Sequence, residues 1–162
     1  MIESFIEVVD MVKMGKQAKA SATLLAQKST DEKNQVILAI ADALDANTPS
    51  ILEANQKDLD LAEANGVDPI WIRDRIALER RMASIITDVR KVAELPDPVG
   101  NVILDSTLEN GLQMTKRRTP LGVLGTIYES RPNVTVDISI LALKTSNAVI
   151  LRGGSDVLNS NM

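Results

Sequence analysis

The sequence predicts an α/β chain: successive N-terminal helices, then a β-hairpin arm, then one strand–helix–strand unit of a parallel sheet. Three observations carry this. Helix formers dominate up to about residue 95, whereas six of the eight glycines and several short Val/Ile runs come after it. Asn110-Gly111 stands between two apolar triplets, the strongest short-range hairpin signal. Residues 122–151 then read strand, helix, strand in about thirty residues, the length of a βαβ unit. Between the first two parts lies Leu95-Pro96-Asp97-Pro98-Val99-Gly100, and two prolines with a glycine cannot continue a helix. The expected division is residues 1–95, 96–119 and 120–162.

Residues 2–27, rich in Ala, Lys, Gln and Glu, are expected to be helical. Ser29-Thr30-Asp31-Glu32 fits a capping box, in which Glu32 reaches back to the Ser29 amide. The helix it opens places Val36, Ile37, Ile40 and Leu44 on one side, the spacing of a buried stripe. Thr48-Pro49 repeats the start signal for a helix carrying Ile51, Leu52, Leu59 and Ala62. Asn65-Gly66 ends it with a left-handed cap. Asp58, Asp60 and Glu63 read as its solvated face. A last helix runs from Asp68-Pro69 to about Glu94, with a break near Ala77.

In the second part, Val102-Ile103-Leu104 and Leu112-Gln113-Met114 are the hairpin arms, and both turn residues are expected at positive φ. The run from Gly122 to Tyr128 suits a buried parallel strand, residues 132–145 a helix with Val136, Ile140 and Leu143 inward, and residues 148–151 a second buried strand. A right-handed crossover joins them. Arg152-Gly153-Gly154-Ser155-Asp156 opens another helix. Two parallel strands cannot make a sheet covered on both faces, so the chain is expected to be the N-terminal portion of something larger.

Composition removes several functions. The 162 residues are 44% apolar and 25% charged, which excludes disordered and collagen-like classes. With 18 basic against 22 acidic residues the net charge is −4, the wrong sign for a general nucleic-acid binder, and the basic triplet Lys116-Arg117-Arg118 reads as a solvated face. Three aromatics (Phe5, Trp71, Tyr128) offer little for base stacking. The absence of Cys and His removes disulfides, the usual zinc sites, and thiol or imidazole catalysis, leaving only carboxylates as metal donors. An acid at position 3 does not fit a signal peptide, and no apolar run approaches the ~18 residues of a membrane span. A soluble, cytoplasmic chain is expected.

In open parallel sheets ligands bind outside the carboxyl ends of the strands, and two polar clusters fall there. The first is Glu129-Ser130-Arg131-Pro132-Asn133: Arg131 offers a donor fork for carboxylate or phosphate, and the helix opening at Pro132 adds partial positive charge. The alternative is that Ser130 or Asn133 caps the helix and Arg131 pairs with a surface acid. The second is Arg152-Gly153-Gly154-Ser155, where paired glycines permit close backbone approach and a strand-end arginine suits a 2′-phosphate, favouring NADP over NAD, although Asp156 four residues on is an acid of the kind that meets a ribose; the alternative is an ordinary turn. No Gly-x-Gly-x-x-Gly or phosphate loop is present. Asn133-Val134-Thr135 matches a glycosylation pattern only incidentally, in the absence of a secretion signal.

The stretch 120–137, containing Tyr128-Glu129-Ser130-Arg131-Pro132-Asn133, resembles the signature region of the γ-glutamyl phosphate reductases. Residues 143–154, 95–100 and 51–59 are similar to the same family in the same order, and the resemblance runs from about Met14 onward. It implies the aldehyde dehydrogenase superfamily, with a Rossmann-like cofactor domain, a catalytic domain and an oligomerisation hairpin around Asn110-Gly111. It further implies NADPH-dependent reduction of L-glutamate 5-phosphate to L-glutamate 5-semialdehyde with release of phosphate, a step of proline biosynthesis, in a homo-oligomer. By the same resemblance Arg152, with Gly153, Gly154 and Ser155, meets the adenosine ribose or its 2′-phosphate. Ser130, Arg131 and Asn133 line the active site, with the roles of Arg131 and Asn133 left open. Expelling phosphate to form a thioester needs a cysteine thiolate, so this chain is expected to lack the catalytic residue and to be inactive alone. The rival reading is a helix-rich interaction or oligomerisation remnant.

Overall fold

The structure, a computed structural model, describes residues 10–162; positions 2–9 of the first expected helix, Phe5 among them, lie outside that range. Helix α1 (Met11–Leu25) is capped by Asp10, whose carboxylate accepts the Lys13 amide at 2.9 Å. Helix α2 (Thr30–Ala46) opens on the expected capping box: Ser29 Oγ accepts the Glu32 amide at 3.2 Å and Glu32 Oε2 accepts the Ser29 amide at 2.8 Å. Lys28 Nζ lies 2.9 Å from Glu32 Oε1. The Lys28 bond, then the Ser29 bonds, lower the Glu32 carboxyl from an ordinary 4.5 to about 2.

Helix α3 (Thr48–Ala64) follows after one joint residue, Asn47. Neither Asn47 nor Thr48 caps it by side chain. Asn47 Nδ2 and Thr48 Oγ1 instead bond back to the carbonyls of Ala43 and Leu44, satisfying the last turn of α2. At its end Gly66 takes φ +72°, with Gly66 N bonded to Glu63 O and Val67 N to Ala62 O, a Schellman motif. A short helix α4 (Pro69–Trp71) runs into a π-helical turn (Ile72–Ile76), and the chain breaks at Ala77 before helix α5 (Met82–Glu94).

The main core joins Ile37 and Ala41 of α2, Val89 and Ala93 of α5, and Ile140 of helix α6 (Pro132–Lys144). Val36 departs from expectation: it is 48% exposed, because the stripe that faces inward runs through Lys33, Ile37 and Ala41. Asp58 also departs. It is buried, as is Asn55, on the side of α3 expected to carry only apolar residues.

Strands β1 (Val102–Thr107) and β2 (Gln113–Arg117) pair antiparallel. Their connection is a three-residue loop in which Gly111 N bonds Leu108 O and Leu108 N bonds Leu112 O. Only Gly111 takes positive φ, +84°, so Asn110 sits in a right-handed turn rather than the expected double-positive one. This is a type I turn closed by a glycine bulge. Asn110 Oδ1 accepts the Leu112 amide at 3.1 Å.

Strands β3 (Val123–Ile127) and β4 (Ala148–Arg152) pair parallel, in register from Val123 with Ala148 to Ile127 with Arg152, with α6 as crossover. Helix α1 touches both strands. Among the described residues the pair has no third strand, and β3 is not buried as expected: Ile127 is 80% exposed. Helix α6 ends with Ser146 at φ +57° and Asn147 Oδ1 accepting the Gly122 amide at 2.8 Å, which sets the entry to β3.

Beneath this joint lies a buried polar cluster. Lys33 Nζ bonds the Lys144 carbonyl and Ser146 Oγ and pairs with Asp97, while Lys144 Nζ bonds Asn34 Oδ1 and the Ala93 carbonyl. The Pro-rich hinge is thereby tied to the start of β4.

Candidate functional site

The carboxyl ends of β3 and β4 lie side by side, joined by the Tyr128 amide on the Arg152 carbonyl at 3.1 Å. The loops that follow are tied to each other. Ser130, itself buried, donates from Oγ to Asp156 Oδ2 at 2.6 Å. Thr135 on the first turn of α6 donates to Asn161 Oδ1 at 2.7 Å; since its single proton is spent there, the Tyr128 hydroxyl donates to Thr135 Oγ1 at 2.6 Å. Asn161 belongs to the short helix α7 (Leu158–Asn161), which follows a 3-10 turn (Ser155–Val157).

This packing leaves little room for a side chain at either of the paired glycines. A Cβ on Gly153 would stand 2.6 Å from Asn161 Nδ2 and 3.1 Å from the Tyr128 hydroxyl. One on Gly154 would stand 2.9 Å from Ser130 Oγ and 3.2 Å from the Ser130 amide. The close approach the sequence pointed to is thus made, on that side, by the protein's own β3–α6 loop.

The candidate residues therefore separate. Ser130, Gly153, Gly154 and Ser155 come together where the two loops meet. Arg152 and Arg131 are exposed beside them, and neither has an ion-pair partner among the described residues. Arg131 occupies the N-cap position of α6, but no side chain caps that helix, so neither Ser130 nor Asn133 fills the capping role. Asn133 faces another way. Its Nδ2 donates to Asp137 Oδ2 at 3.2 Å, and its buried Oδ1 has no partner among the described residues. It lines, with Ile51, Leu78, Met82 and Ser160, a cavity of about 90 Å³ under α6.

The spacing of Tyr128, Thr135 and Asn161 gives no sign in the sequence that their hydroxyl and amide groups meet here, and Asp156, visible only as an acid near Arg152, gives none that it receives Ser130. Asn55 and Asp58 did have one, because they fall at three- and four-residue steps on the stripe of Leu52, Leu59 and Ala62. Among the described residues no group of acidic side chains is placed to hold a metal ion, and no helix is long and apolar enough to cross a membrane.

No family model matches the chain. Known proteins do. The γ-glutamyl phosphate reductase of Chloroflexus aggregans is 50% identical over 153 residues, 94% of this chain and 36% of the relative; that of Vibrio parahaemolyticus is 51% identical over 155 residues, 95% of this chain and 37% of the relative. The crystal structure of the Thermotoga maritima γ-glutamyl phosphate reductase superposes with a TM-score of 0.88 at 42% identity, covering 93% of this chain and 36% of that one. The chain is a homologue of the γ-glutamyl phosphate reductases. It spans a little over a third of the length of those reductases, and its fold is the matching N-terminal part of theirs. A benzaldehyde dehydrogenase from Corynebacterium glutamicum, 20% identical with a TM-score of 0.68, shares the fold. The helices, the hairpin and the β3–α6–β4 unit thus correspond to the N-terminal part of an aldehyde-dehydrogenase-type fold.

Proposed function

We propose that this chain forms part of an oxidoreductase that uses NADPH to reduce L-glutamate 5-phosphate to L-glutamate 5-semialdehyde with release of phosphate, in cytoplasmic proline biosynthesis. The observation that carries the reading is the half-identity to γ-glutamyl phosphate reductases along nearly the whole chain. The divisions 1–95, 96–119 and 120–162 are assigned as helical segment, association arm and start of the cofactor domain. Val102, Ile103, Leu104, Leu112 and Met114 leave apolar surface exposed on the arm, which suits pairing with a second copy.

Arg152 fits the cofactor: it is an exposed guanidinium at the carboxyl end of a parallel strand, with no acid of the described residues neutralising it. That position suits the 2′-phosphate that distinguishes NADPH from NADH. Gly153 and Gly154 keep the turn tight against Ser130 and Tyr128, while Ser155 remains exposed beside them. Bound there, NADPH supplies the hydride. Arg131, also exposed, holds the substrate's carboxylate or phosphate; Ser130, through Asp156, fixes the loop that carries it, and Asn133 lies on the first turn of α6 that follows. No cysteine occurs among the 162 residues, so the thiolate that displaces phosphate is supplied by sequence outside them.

A chimera tests this reading. Joining these residues to the remaining two-thirds of a γ-glutamyl phosphate reductase relative should give an enzyme that forms NADPH from NADP, phosphate and glutamate 5-semialdehyde, the reverse reaction. The 162 residues alone should not. A folded but inactive chimera beside an active parent, or turnover by the short chain alone, counts against it.

A further inference from the structure

Asp58 is fully buried, 2% exposed, and no cation pairs with it among the described residues. Isolated buried carboxylates are costly, so one that persists must be held by hydrogen bonds. Four reach it. The Asn159 amide and Asn159 Nδ2 donate to Oδ1 at 3.1 and 2.7 Å, and the Ser160 amide and Ser160 Oγ donate to Oδ2 at 2.8 and 2.6 Å. Asn55, one turn earlier on α3 and also 2% exposed, donates to Ser160 Oγ at 3.0 Å and to the Ile76 carbonyl at 3.0 Å, and accepts the Leu78 amide at 2.9 Å. Two side chains of α3 thus fix both the break after the π-helical turn and the start of α7.

The next residue carries the consequence to the candidate site. Asn161 accepts the Thr135 hydroxyl and stands where Gly153 would carry a Cβ. Its place is set by the two residues before it, and those rest on Asp58. Val157, between the Gly-Gly turn and α7, packs into the same region, with Ala62, Ile72 and Ile76. The segment after Arg152 is therefore anchored at its far end from α3, outside the βαβ unit.

We propose that Asp58 is a positioning residue that, through Ser160 and Asn161, holds the turn after β4 in the shape that presents Arg152 to the cofactor. This rests on the assignment of Arg152 to NADPH made above. A carboxylate is the group the geometry asks for, because all four neighbours are donors and only an acceptor on both oxygens satisfies them. An asparagine of the same shape would set its own N–H groups against two of them.

The test compares the unsubstituted protein with Asp58→Asn, Ser160→Ala and Arg152→Ala, reading NADPH dissociation constants by fluorescence titration and amide exchange at residues 159 and 160, at a temperature where each is folded. Asp58→Asn is expected to weaken NADPH binding by about tenfold or more and to speed exchange of both amides at least as much, the loss of a hydrogen bond to a charged group. Ser160→Ala, a milder change, shifts both readings in the same direction and decides the matter if Asp58→Asn does not fold. A purely structural role would move exchange and leave the dissociation constant alone. Unchanged affinity in the folded Asp58 and Ser160 variants, with Arg152→Ala weakened, overturns the proposal and keeps the cofactor assignment. Unchanged affinity in all three, or no NADPH binding by the unsubstituted protein, overturns the assignment and with it the role given to Asp58.

Discussion

Lys33 Nζ lies 2.5 Å from Asp97 Oδ2, with the lysine side chain 1% and the aspartate 11% exposed. Sixty-odd residues apart, they join the first turn of α2 to the Pro-rich hinge. Burial pushes the Asp97 carboxyl up, but bonds from Lys33, the Val99 amide and Thr30 outweigh it and leave it below the ordinary carboxylate range. Lys144, alongside, is held below the ordinary lysine range by burial; the Asp97 charge opposes that shift and the Lys33 charge adds to it. Among the described residues Asp97 is thus the one anion beside two buried ammonium groups. Asp97→Ala leaves Lys33 uncompensated and is expected to cost about 3–5 kcal/mol in urea unfolding. Asp97→Asn, which keeps hydrogen-bond partners, should cost less. A loss under 1 kcal/mol for the alanine variant would show that the pair is solvated in the native state.

The Glu32 box predicts an acid limb. Its folded value, about 2, lies below the ordinary 4.5, so the folded state binds fewer protons in between. Its contribution is fully present above pH 4.5 and is lost as pH falls through about 2. Glu32→Gln keeps the reciprocal cap, since glutamine serves at that position, but removes the titrating group. Stability of the variant, followed by urea midpoint against pH, should therefore fall less steeply across that acid window. Superimposable acid limbs would rule the box out as their source.

Much of this architecture was legible because local chemistry and tertiary demand agree. The Ser29–Glu32 box, the Gly66 cap, the break near Ala77 and the β3–α6–β4 order each follow from residues within one turn of the feature. What escaped depends on distant partners. The spacing of Asp58 puts it on the apolar stripe, but its charge reads as solvated until residues 159 and 160 arrive a hundred positions later, and nothing near Lys33 in the sequence announces that Asp97 and Ser146 enclose it. Exposed β3 side chains fail the expectation for the opposite reason: their apolar run anticipates neighbours that the described residues do not contain. At the candidate site the polar clusters were visible, but not that Ser130 faces Asp156 or that Asn133 turns inward.

Gly154 should not tolerate a side chain. Its backbone, at φ −67° and ψ 151°, suits any residue, so the constraint is space alone. A Cβ there meets the Ser130 hydroxyl at 2.9 Å and, less forgivingly, the Ser130 amide at 3.2 Å. Gly154→Ala is expected to push the two loops apart, break the Ser130–Asp156 bond and cost about 1–3 kcal/mol as an overpacked contact. Ser130→Gly in the same chain should recover part of that loss, because it vacates the nearer of the two atoms. Independent, additive effects in that double-mutant cycle would mean that the loops do not meet as described.

The hairpin loop separates two turn types by mutation. In a two-residue turn of the left-handed kind, Asn110 and Gly111 would both need positive φ, and alanine at either position would be strained. Here only Gly111 has it, at +84°, while Asn110 contributes one bond, from Oδ1 to the Leu112 amide. Nothing lies within 4 Å of a Cβ on Gly111, so its cost is conformational. Gly111→Ala should destabilise the arm by about 1–2 kcal/mol, whereas Asn110→Ala should cost only the fraction of that expected for one exposed hydrogen bond. Amide exchange across the β1–β2 ladder reads both directly. Equal losses at the two positions would restore the double-positive turn that the Asn-Gly pair alone suggests.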